Sequence, residues 1–222
     1  MLFVKDFKYL NVGSIKLTDL EGSFKNITAF FIDIRNYTKL SNVKSPEVVI
    51  NFIKEYRNLV NAEFKSDSGS LKDNICEIIY IGDAVLIILN SDNTETLKKT
   101  INCAKKVRDK MFKLLSIWQS DDSYTGVPLS FFKNISFGIG ISQGKVYVES
   151  SDYIGSPLNH AAKIGDMREL SNRKTHIGID KEVFSKLHSE NLTKNSKCVG
   201  QTKDNEYVDL LIFENEYREI DD

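Results

Sequence analysis

The sequence has few cysteines, which could form disulfides, and few prolines, which interrupt helices and strands. Its 222 residues include three cysteines, three prolines and one tryptophan. Cys76, Cys103 and Cys198 are far apart and show neither CxxC nor metal-finger spacing, which argues against a disulfide scaffold and favours a reducing compartment. No apolar stretch approaches the roughly 20 residues that a membrane-spanning helix needs.

The sequence also has no excess of charge of either sign. Its 30 basic and 31 acidic residues give a net charge of -1, so the chain lacks the overall positive charge that is typical of nucleic-acid-binding proteins. Hydrophobic residues make up 41% and charged residues 27%, which is typical of a soluble globular chain. Charges within Met1–Asp6 are unlike a signal peptide. We therefore expect a cytoplasmic protein with neither a membrane nor a nucleic acid as partner.

Hydrophobic periodicity and turn residues predict a single domain over 1–222, with a core of about 24–214. An irregular lead-in with a short strand is expected over 1–23, and a polar loop over 119–128. Ser45 and Pro46 have the residue types of a helix start, and a second helix is predicted just after Asn93. Two further helices are predicted at 158–170 and 181–188. Strands are predicted at 26–33, 75–81, 84–89, 135–141, 145–149, 176–179, 195–200 and 206–213, with Gly144 as a turn.

This order predicts an α+β fold: a ferredoxin-like βαββαβ antiparallel sheet with helices packed on it and a C-terminal αβ extension. We expect the first strand at the sheet centre, beside the hairpin and antiparallel to the second strand. Asp33 ends the first strand and Asp83 lies in the hairpin turn, so both aspartates are expected at one end of the sheet.

Two carboxylates that meet at the ends of apolar strands repel each other unless a cation lies between them. Divalent cations held by paired carboxylates usually serve phosphate chemistry. Each aspartate also has a simpler interpretation, since Asp33 could be the N-cap of a following helix and Gly82–Asp83 an ordinary hairpin turn.

Four segments together resemble the motifs of class III nucleotidyl cyclases. Phe31–Ser41 has an Asp followed by an aromatic-Thr pair and Leu-Ser, and Ile81–Ala84 contains the second Asp. Phe137–Val146 resembles the glycine-containing strand pair of the family, and Asp152–Lys163 resembles its Asp-x-x-Gly-x-x-Val-Asn-x-Ala-x-Arg segment. The four occur in the family's order and cover nearly the whole chain.

The resemblance implies a head-to-tail homodimer with composite active sites at the subunit interface. One subunit would bring Asp33, Asp83 and the Ile34 carbonyl to two divalent cations, Mn²⁺ or Mg²⁺. These cations would hold a nucleoside triphosphate and activate its ribose 3′-hydroxyl for attack on the α-phosphorus.

The other subunit would bring Asp152 toward the base, Asn159 toward the ribose and Lys163 toward the phosphates. Each of these residues has a plainer alternative. Asp152 could be a surface loop carboxylate, Asn159 a helix cap, and Lys163 a solvated helix side chain. Arg35 and Lys39, beside the first motif, fit solvated loop positions better than a role in holding phosphate.

The sequence departs from the family pattern where the base is recognised. Ile79 stands where adenylate cyclases have Lys and guanylate cyclases have Glu, and Tyr80 follows it. With Tyr80 filling space that a purine would need, the chain resembles the pyrimidine cyclases of bacterial anti-phage (Pycsar) systems. Those enzymes make cyclic UMP or cyclic CMP, which activates a separate effector. The resemblance therefore favours UTP, then CTP, as substrate.

Two further departures concern phosphate binding. Lys163 replaces the family Arg and lacks its bidentate fork. Val199–Gln201 replaces a Lys-Gly-Lys, although Lys197 and Lys203 flank it. Two alternatives therefore stay open at this point: an adenylate cyclase that makes cyclic AMP, and a catalytically degenerate cyclase homologue that binds nucleotide without turning it over.

Overall fold

A central strand that is covered on both faces organises the molecule. The computed structural model describes residues 22–43, 45–65, 71–91, 93–120, 135–167, 177–189, 196–201 and 207–211. The strands are β1 (Ser23–Arg35), β2 (Ile75–Ile81), β3 (Ala84–Leu89), β4 (Ser136–Glu149), β5 (Asp152–Ile154), β6 (Ile177–Asp180), β7 (Ser196–Gln201) and β8 (Tyr207–Leu211). The helices are α1 (Tyr37–Val43), α2 (Pro46–Lys65), α3 (Thr94–Ser120), α4 (Ser156–Gly165) and α5 (Lys181–Ser189).

The strands form one eight-stranded sheet in the order β2-β3-β1-β4-β6-β8-β7, with β5 paired to β4. The first four strands have the expected ferredoxin-like order, and the remaining strands extend the sheet beyond β4. β1 is antiparallel to both β3 and β4, while β4 and β6 are parallel. The predicted fold class is confirmed.

Alternating side chains of β1 are buried against different layers. Phe30, Ile32 and Ile34 belong to a large core that includes α2 and α3. Ala29 and Phe31 face the opposite layer, which includes Ala161 of α4. Because both faces are covered, the apolar run in β1 is almost continuous rather than alternating.

The residues at the starts of α2 and α3 have the positions that their types predict. Pro46 is the first residue of α2, and the Val49 amide donates to the carbonyl of Ser45 at 3.3 Å. The Asn93 side chain caps α3 by accepting from the Thr96 amide at 2.7 Å. Both helices bury an apolar stripe against the sheet, which supplies most of their stability.

Two short elements were missed, and several predicted boundaries were wrong. Asn36, with a φ of 63°, precedes the unpredicted helix α1, and β1 extends beyond the predicted 26–33 at both ends. β4 runs unbroken through Gly144, whose φ of 153° suits glycine. β5 was missed because three residues carry little periodicity. α3 extends to Ser120, into the predicted 119–128 loop; the rest of that loop and nearly all of the 1–23 lead-in lie outside the described residues.

α4 begins and ends earlier than predicted. It starts at Ser156 and ends at Gly165 rather than covering 158–170. The carbonyl of Gly165 accepts a hydrogen bond from the Arg35 guanidinium, which satisfies a group that a longer helix would have paired internally. α4 also lies very close to the sheet, since a Cβ on Gly140 would be 2.1 Å from the carbonyl oxygen of Ala161.

Candidate active site

Asp33 and Asp83 lie at the same end of the sheet. Asp33 follows Ile32, which pairs with Val85 of β3, and Asp83 is in the two-residue turn that precedes β3. The expected reason was wrong, because β1 and β2 are both antiparallel to β3 and therefore run in the same direction. Since β1 is antiparallel to β3, the end of β1 meets the turn where β3 begins. The turn itself needs Gly82, whose φ is 60°.

The two carboxylates share a desolvated site and are within hydrogen-bonding distance of each other. Burial raises the pKa of Asp33 from 3.8 to about 7, with the charge of Asp83 as the next cause. Burial also raises the pKa of Asp83, although its hydrogen bond to Asp33 opposes this. The metal-free pair therefore holds a proton between two oxygen groups near neutral pH.

One arginine lies beside each carboxylate. Arg35 Nη1 is 3.7 Å from Asp33 Oδ2, and the same side chain pairs with Asp166 and Gly165 at the end of α4. Arg57 of α2 donates to the Gly82 carbonyl in the turn that carries Asp83, and its charge, after that of Arg35, opposes the rise in the pKa of Asp83 that burial causes. Arg35 is only 12% exposed, so the expectation of a solvated loop residue was wrong; Lys39 is exposed, as expected.

Tyr56 lies beneath the pair and was not singled out from the sequence. Its hydroxyl donates to the carbonyl of Ile32 at 3.1 Å in a fully buried position. Burial raises the pKa of Tyr56 well above its ordinary value, and the nearby Asp33 and Asp83 charges add to this. A tyrosine on the apolar stripe of a helix resembles an ordinary core residue, so its sequence carries no signal of this contact.

Oxygen donors of this kind suit a hard divalent cation. Two desolvated carboxylates that must share a proton in the absence of metal would both be ionised with a divalent ion between them. Among the described residues, no cluster of three or more His, Cys, Asp or Glu side chains could hold a metal. The two carboxylates are therefore the side chains here that fit such an ion, and the Ile34 carbonyl as a further ligand stays a prediction.

The second group of predicted residues lies on β5 and α4. Asp152 pairs with Glu149 at the far end of β4, and its side chain is exposed. Asn159 and Lys163 are exposed on α4, one helical turn apart. Because α4 starts at Ser156, Asn159 is inside the helix and the capping alternative was wrong. Asp33 lies within β1 and is not a helix cap either.

Asp152 is far from the carboxylate pair along the sheet. Asp33 pairs with Gly138, near the start of β4, and Asp152 pairs with Glu149 at its end. The eleven-residue separation corresponds to about 36 Å of extended strand. One nucleotide is too short to contact both residues along that path within a single chain.

Ile79 and Tyr80 face opposite sides of β2. Ile79 packs in the layer that contains Tyr153, Leu158 and Ala162, beside the Asp152–Lys163 segment. Tyr80 faces α2, where its hydroxyl accepts from Asn61 Nδ2 at 2.5 Å and its exposed fraction is 42%. Strand alternation could have separated these two residues from sequence alone. Their base-contacting roles remain predictions.

The residues that were predicted to replace the lost phosphate-binding motif are only partly described. Lys197 and Val199–Gln201 lie on β7, for which the backbone alone is described. Lys203 lies outside the described residues. No helix among the described ranges is long and apolar enough to cross a membrane.

Comparison with known proteins identifies the family. A model of the adenylate and guanylate cyclase catalytic domain matches residues 21–202. This chain belongs to that family. It is therefore a nucleotidyl cyclase catalytic domain, of a class that binds nucleoside triphosphates, uses divalent metal ions and usually dimerises.

Individual relatives differ in their substrates. An adenylate cyclase from Anabaena cylindrica is 27% identical over 150 residues, which are 64% of this chain and 27% of that protein. A uridylate cyclase from Treponema porcinum is 24% identical over 205 residues, which are 89% of this chain and 65% of that protein. The adenylyl cyclase CyaB from P. aeruginosa shares the fold, with a TM-score of 0.62 and 20% identity over 87% of this chain and 97% of that one. This cyclase domain thus spans about a quarter to two thirds of these curated relatives.

Proposed function

We propose that this cyclase domain converts UTP, or CTP, to the 3′,5′-cyclic monophosphate and pyrophosphate. The observation that carries the reaction type is the desolvated Asp33–Asp83 pair at one end of the sheet. Two ionised carboxylates that are buried next to each other destabilise the folded chain unless a cation lies between them. The requirement for a stable fold therefore does not explain why the pair is there. The metal would polarise the phosphates and lower the pKa of the attacking ribose hydroxyl.

The residues of the chain have distinct parts in this proposal. Asp33, Asp83 and the Ile34 carbonyl would hold the cations, which would supply positive charge for binding the triphosphate. Asn159 orients the ribose, and Lys163 neutralises charge on the phosphates in the transition state. In the reaction, the ribose 3′-oxygen forms a bond to the α-phosphorus and its proton passes to solvent. The bond between the α-phosphorus and the departing pyrophosphate breaks.

The proposal of a pyrimidine substrate rests on Ile79, the residue at the position that recognises the base in the family. Ile79, at the position where the family resemblance predicts a charged base reader, is apolar and packs against the same buried cluster as Tyr153 and Leu158. An apolar side chain there offers no donor to an adenine edge. The Treponema relative, which matches 89% of this chain, is a uridylate cyclase, and this supports the same choice. Asp152 completes the base-contacting set that we propose, whereas Tyr80, which lies on the other face of β2 from Ile79, is placed outside that set.

A composite site in a homodimer follows from the position of Asp152. Its distance from the Asp33–Asp83 pair along β4 is too great for one nucleotide within one chain. We therefore propose that one copy supplies the carboxylate pair and a second copy supplies Asp152, Asn159 and Lys163. Mixing D33N with K163A protein tests this directly, because only a composite dimer regains one intact site and part of its activity.

The experiment that tests the reaction is a four-nucleotide competition with Mn²⁺, with products identified by mass spectrometry. We expect cyclic UMP or cyclic CMP as the main product. Product from ATP or GTP alone would refute the pyrimidine assignment and favour the adenylate cyclase alternative. D33N should form no product, and the exposed Asp73 offers a matched control, since D73N should retain full activity.

A second candidate is a nucleotide-binding domain without turnover. Lys163 favours it, because a lysine lacks the paired donors of an arginine for phosphate. This candidate predicts Mn²⁺-dependent UTP binding with no release of pyrophosphate. Release of pyrophosphate at a rate that falls in K163A would eliminate it.

We also propose a cytoplasmic signalling role in anti-phage defence, in which the cyclic product activates a separate effector. The relation to a uridylate cyclase supports this role. Co-expression with an effector that binds cyclic nucleotides should arrest growth only when the cyclase is active. Equal arrest with D33N would contradict the role.

A further inference from the structure

Two consecutive residues of α2 contact the two strand ends that carry the aspartates. The Tyr56 hydroxyl donates to the carbonyl of Ile32, the residue immediately before Asp33, at 3.1 Å. The Arg57 guanidinium donates to the carbonyl of Gly82, the residue immediately before Asp83, at 2.5 Å. One helix turn therefore binds the peptide that precedes each member of the pair.

Arg57 is held in place by its own neighbours. Its guanidinium lies over the Tyr80 ring, 4.6 Å from the ring centroid. The Tyr80 hydroxyl in turn accepts from Asn61, one turn further along α2. Tyr80 is thus a support for Arg57 within the chain, on the face of the sheet opposite Ile79.

This arrangement is not optimal for stability. Among the described residues, Arg57 Nε and Asn61 Oδ1 are buried and have no hydrogen-bond partner. Unpaired buried polar atoms oppose folding. A side chain whose buried, unpaired polar atom lowers the stability of the fold is a candidate for a functional role.

We propose that Tyr56 and Arg57 form a two-point clamp that sets the spacing of Asp33 and Asp83 for metal binding. Both are positioning residues, since each acts on a backbone carbonyl and neither is a metal ligand in this proposal. The inference rests on the proposed metal site. Rigid α2 fixes the two strand ends relative to each other, as residues behind the ligands do in other metal sites.

Arg57 permits a test whose sign separates positioning from electrostatics. A cation near two carboxylates repels a metal ion, so if Arg57 acted through charge alone, its removal would tighten metal binding. If Arg57 positions the turn, its removal weakens metal binding. We expect R57M to raise the Mn²⁺ dissociation constant about 10-fold, which is the usual effect of losing a residue that orients a ligand.

The experiment is a Mn²⁺ titration of the purified chain, with free ion measured by electron paramagnetic resonance. Y56F, R57K and R57M are compared with the wild type, and K54Q, which removes an exposed charge from the same helix, is the matched control. We expect weaker binding in Y56F and R57M, an intermediate value in R57K, and no change in K54Q. Activity in R57M should recover at saturating Mn²⁺, whereas a loss of folded protein would lower it at every concentration.

Unchanged or tighter Mn²⁺ binding in R57M, measured on folded protein, would overturn the clamp. Should R57M fail to fold, Y56F and R57K decide in the same way, because Phe keeps the ring of Tyr and removes only its hydroxyl, and Lys keeps the positive charge of Arg. Failure of the underlying metal site has a different signature: the wild type would not bind Mn²⁺, or D33N would bind it equally well.

Discussion

Replacing Asp33 with Asn should stabilise the metal-free protein while abolishing its activity. Asn has nearly the shape of a protonated Asp but carries no charge, so it removes the unfavourable ionisation of a buried group. The pKa of Asp33 in the folded chain is about 7, against an ordinary value of 3.8, because burial and Asp83 both disfavour its charged form. Stability and function therefore make opposite demands on this position.

The direction of the pH dependence follows from proton binding. Between pH 3.8 and about 7 the folded chain holds a proton on Asp33 that the unfolded chain has already lost. Stability therefore falls as the pH rises through this window. From pH 5 to pH 8 the wild type should lose about 2.7 kcal/mol through this group, at 1.36 kcal/mol for each of the roughly two pH units between pH 5 and its pKa in the folded chain. D33N has no such group and should not show this loss.

The assay is urea unfolding in the presence of a chelator at pH 5 and pH 8, for the wild type, D33N and the surface control D73N. The difference between D33N and the wild type should grow with pH, in favour of D33N. Taking this difference cancels the titrating groups that do not interact with Asp33, and it retains the contribution of Asp83, which shares a hydrogen bond with Asp33. Added Mn²⁺ at pH 8 should then stabilise the wild type and leave D33N unchanged.

Two results would refute the reasoning. If D33N is less stable than the wild type at pH 8 without metal, the pair is not electrostatically unfavourable. If the stability difference is the same at pH 5 and pH 8, Asp33 does not titrate between them, and the proton-sharing interpretation of the site fails.

Three further predictions follow from the packing and charge of the site. G140A should destabilise the fold by about 1–3 kcal/mol in urea unfolding, because its Cβ would meet the Ala161 carbonyl of α4; an unchanged midpoint would contradict the close approach of α4. K163R should raise the rate of pyrophosphate release roughly 10-fold, because it restores paired donors to phosphate, and equal rates would show that Lys163 does not contact phosphate. Removal of Mn²⁺ by EDTA at pH 8 should lower stability by about 2.7 kcal/mol when the ion had been present at 100 times its dissociation constant, and no change in thermal melting would argue against a metal site.

The regular elements could be predicted from the sequence because their signals are local. Apolar periodicity defines α2 and α3, and Gly82–Asp83 between two apolar runs defines a hairpin. The short elements α1 and β5 were missed since they contain too few residues to show a period. Gly144 was taken for a turn, although its unusual backbone lies inside the continuous strand β4.

The sequence predicted a metal site at two aspartates, but it did not predict which other side chains surround them. Arg35 follows Asp33 by two positions on β1, so strand alternation places both on one face, but Arg57 lies on α2 and no spacing relates it to Asp83. Their contacts are to backbone carbonyls and to charges that come near only when α2 and α4 pack on opposite faces of the sheet. Tyr80 was assigned to the base site from its position in a motif, and the alternation of β2 places it on the other face from Ile79.

By itself, the sequence determined the order of the elements, the presence of two aspartates at strand ends and the family to which those motifs point. Each of these depends on neighbours along the chain. Tertiary structure alone decided that the two aspartates share a desolvated site, that an arginine lies beside each, and that Asp152 is at the far end of β4. These features depend on distances through space and on exclusion of water, and both are set when the sheet forms and the helices cover it.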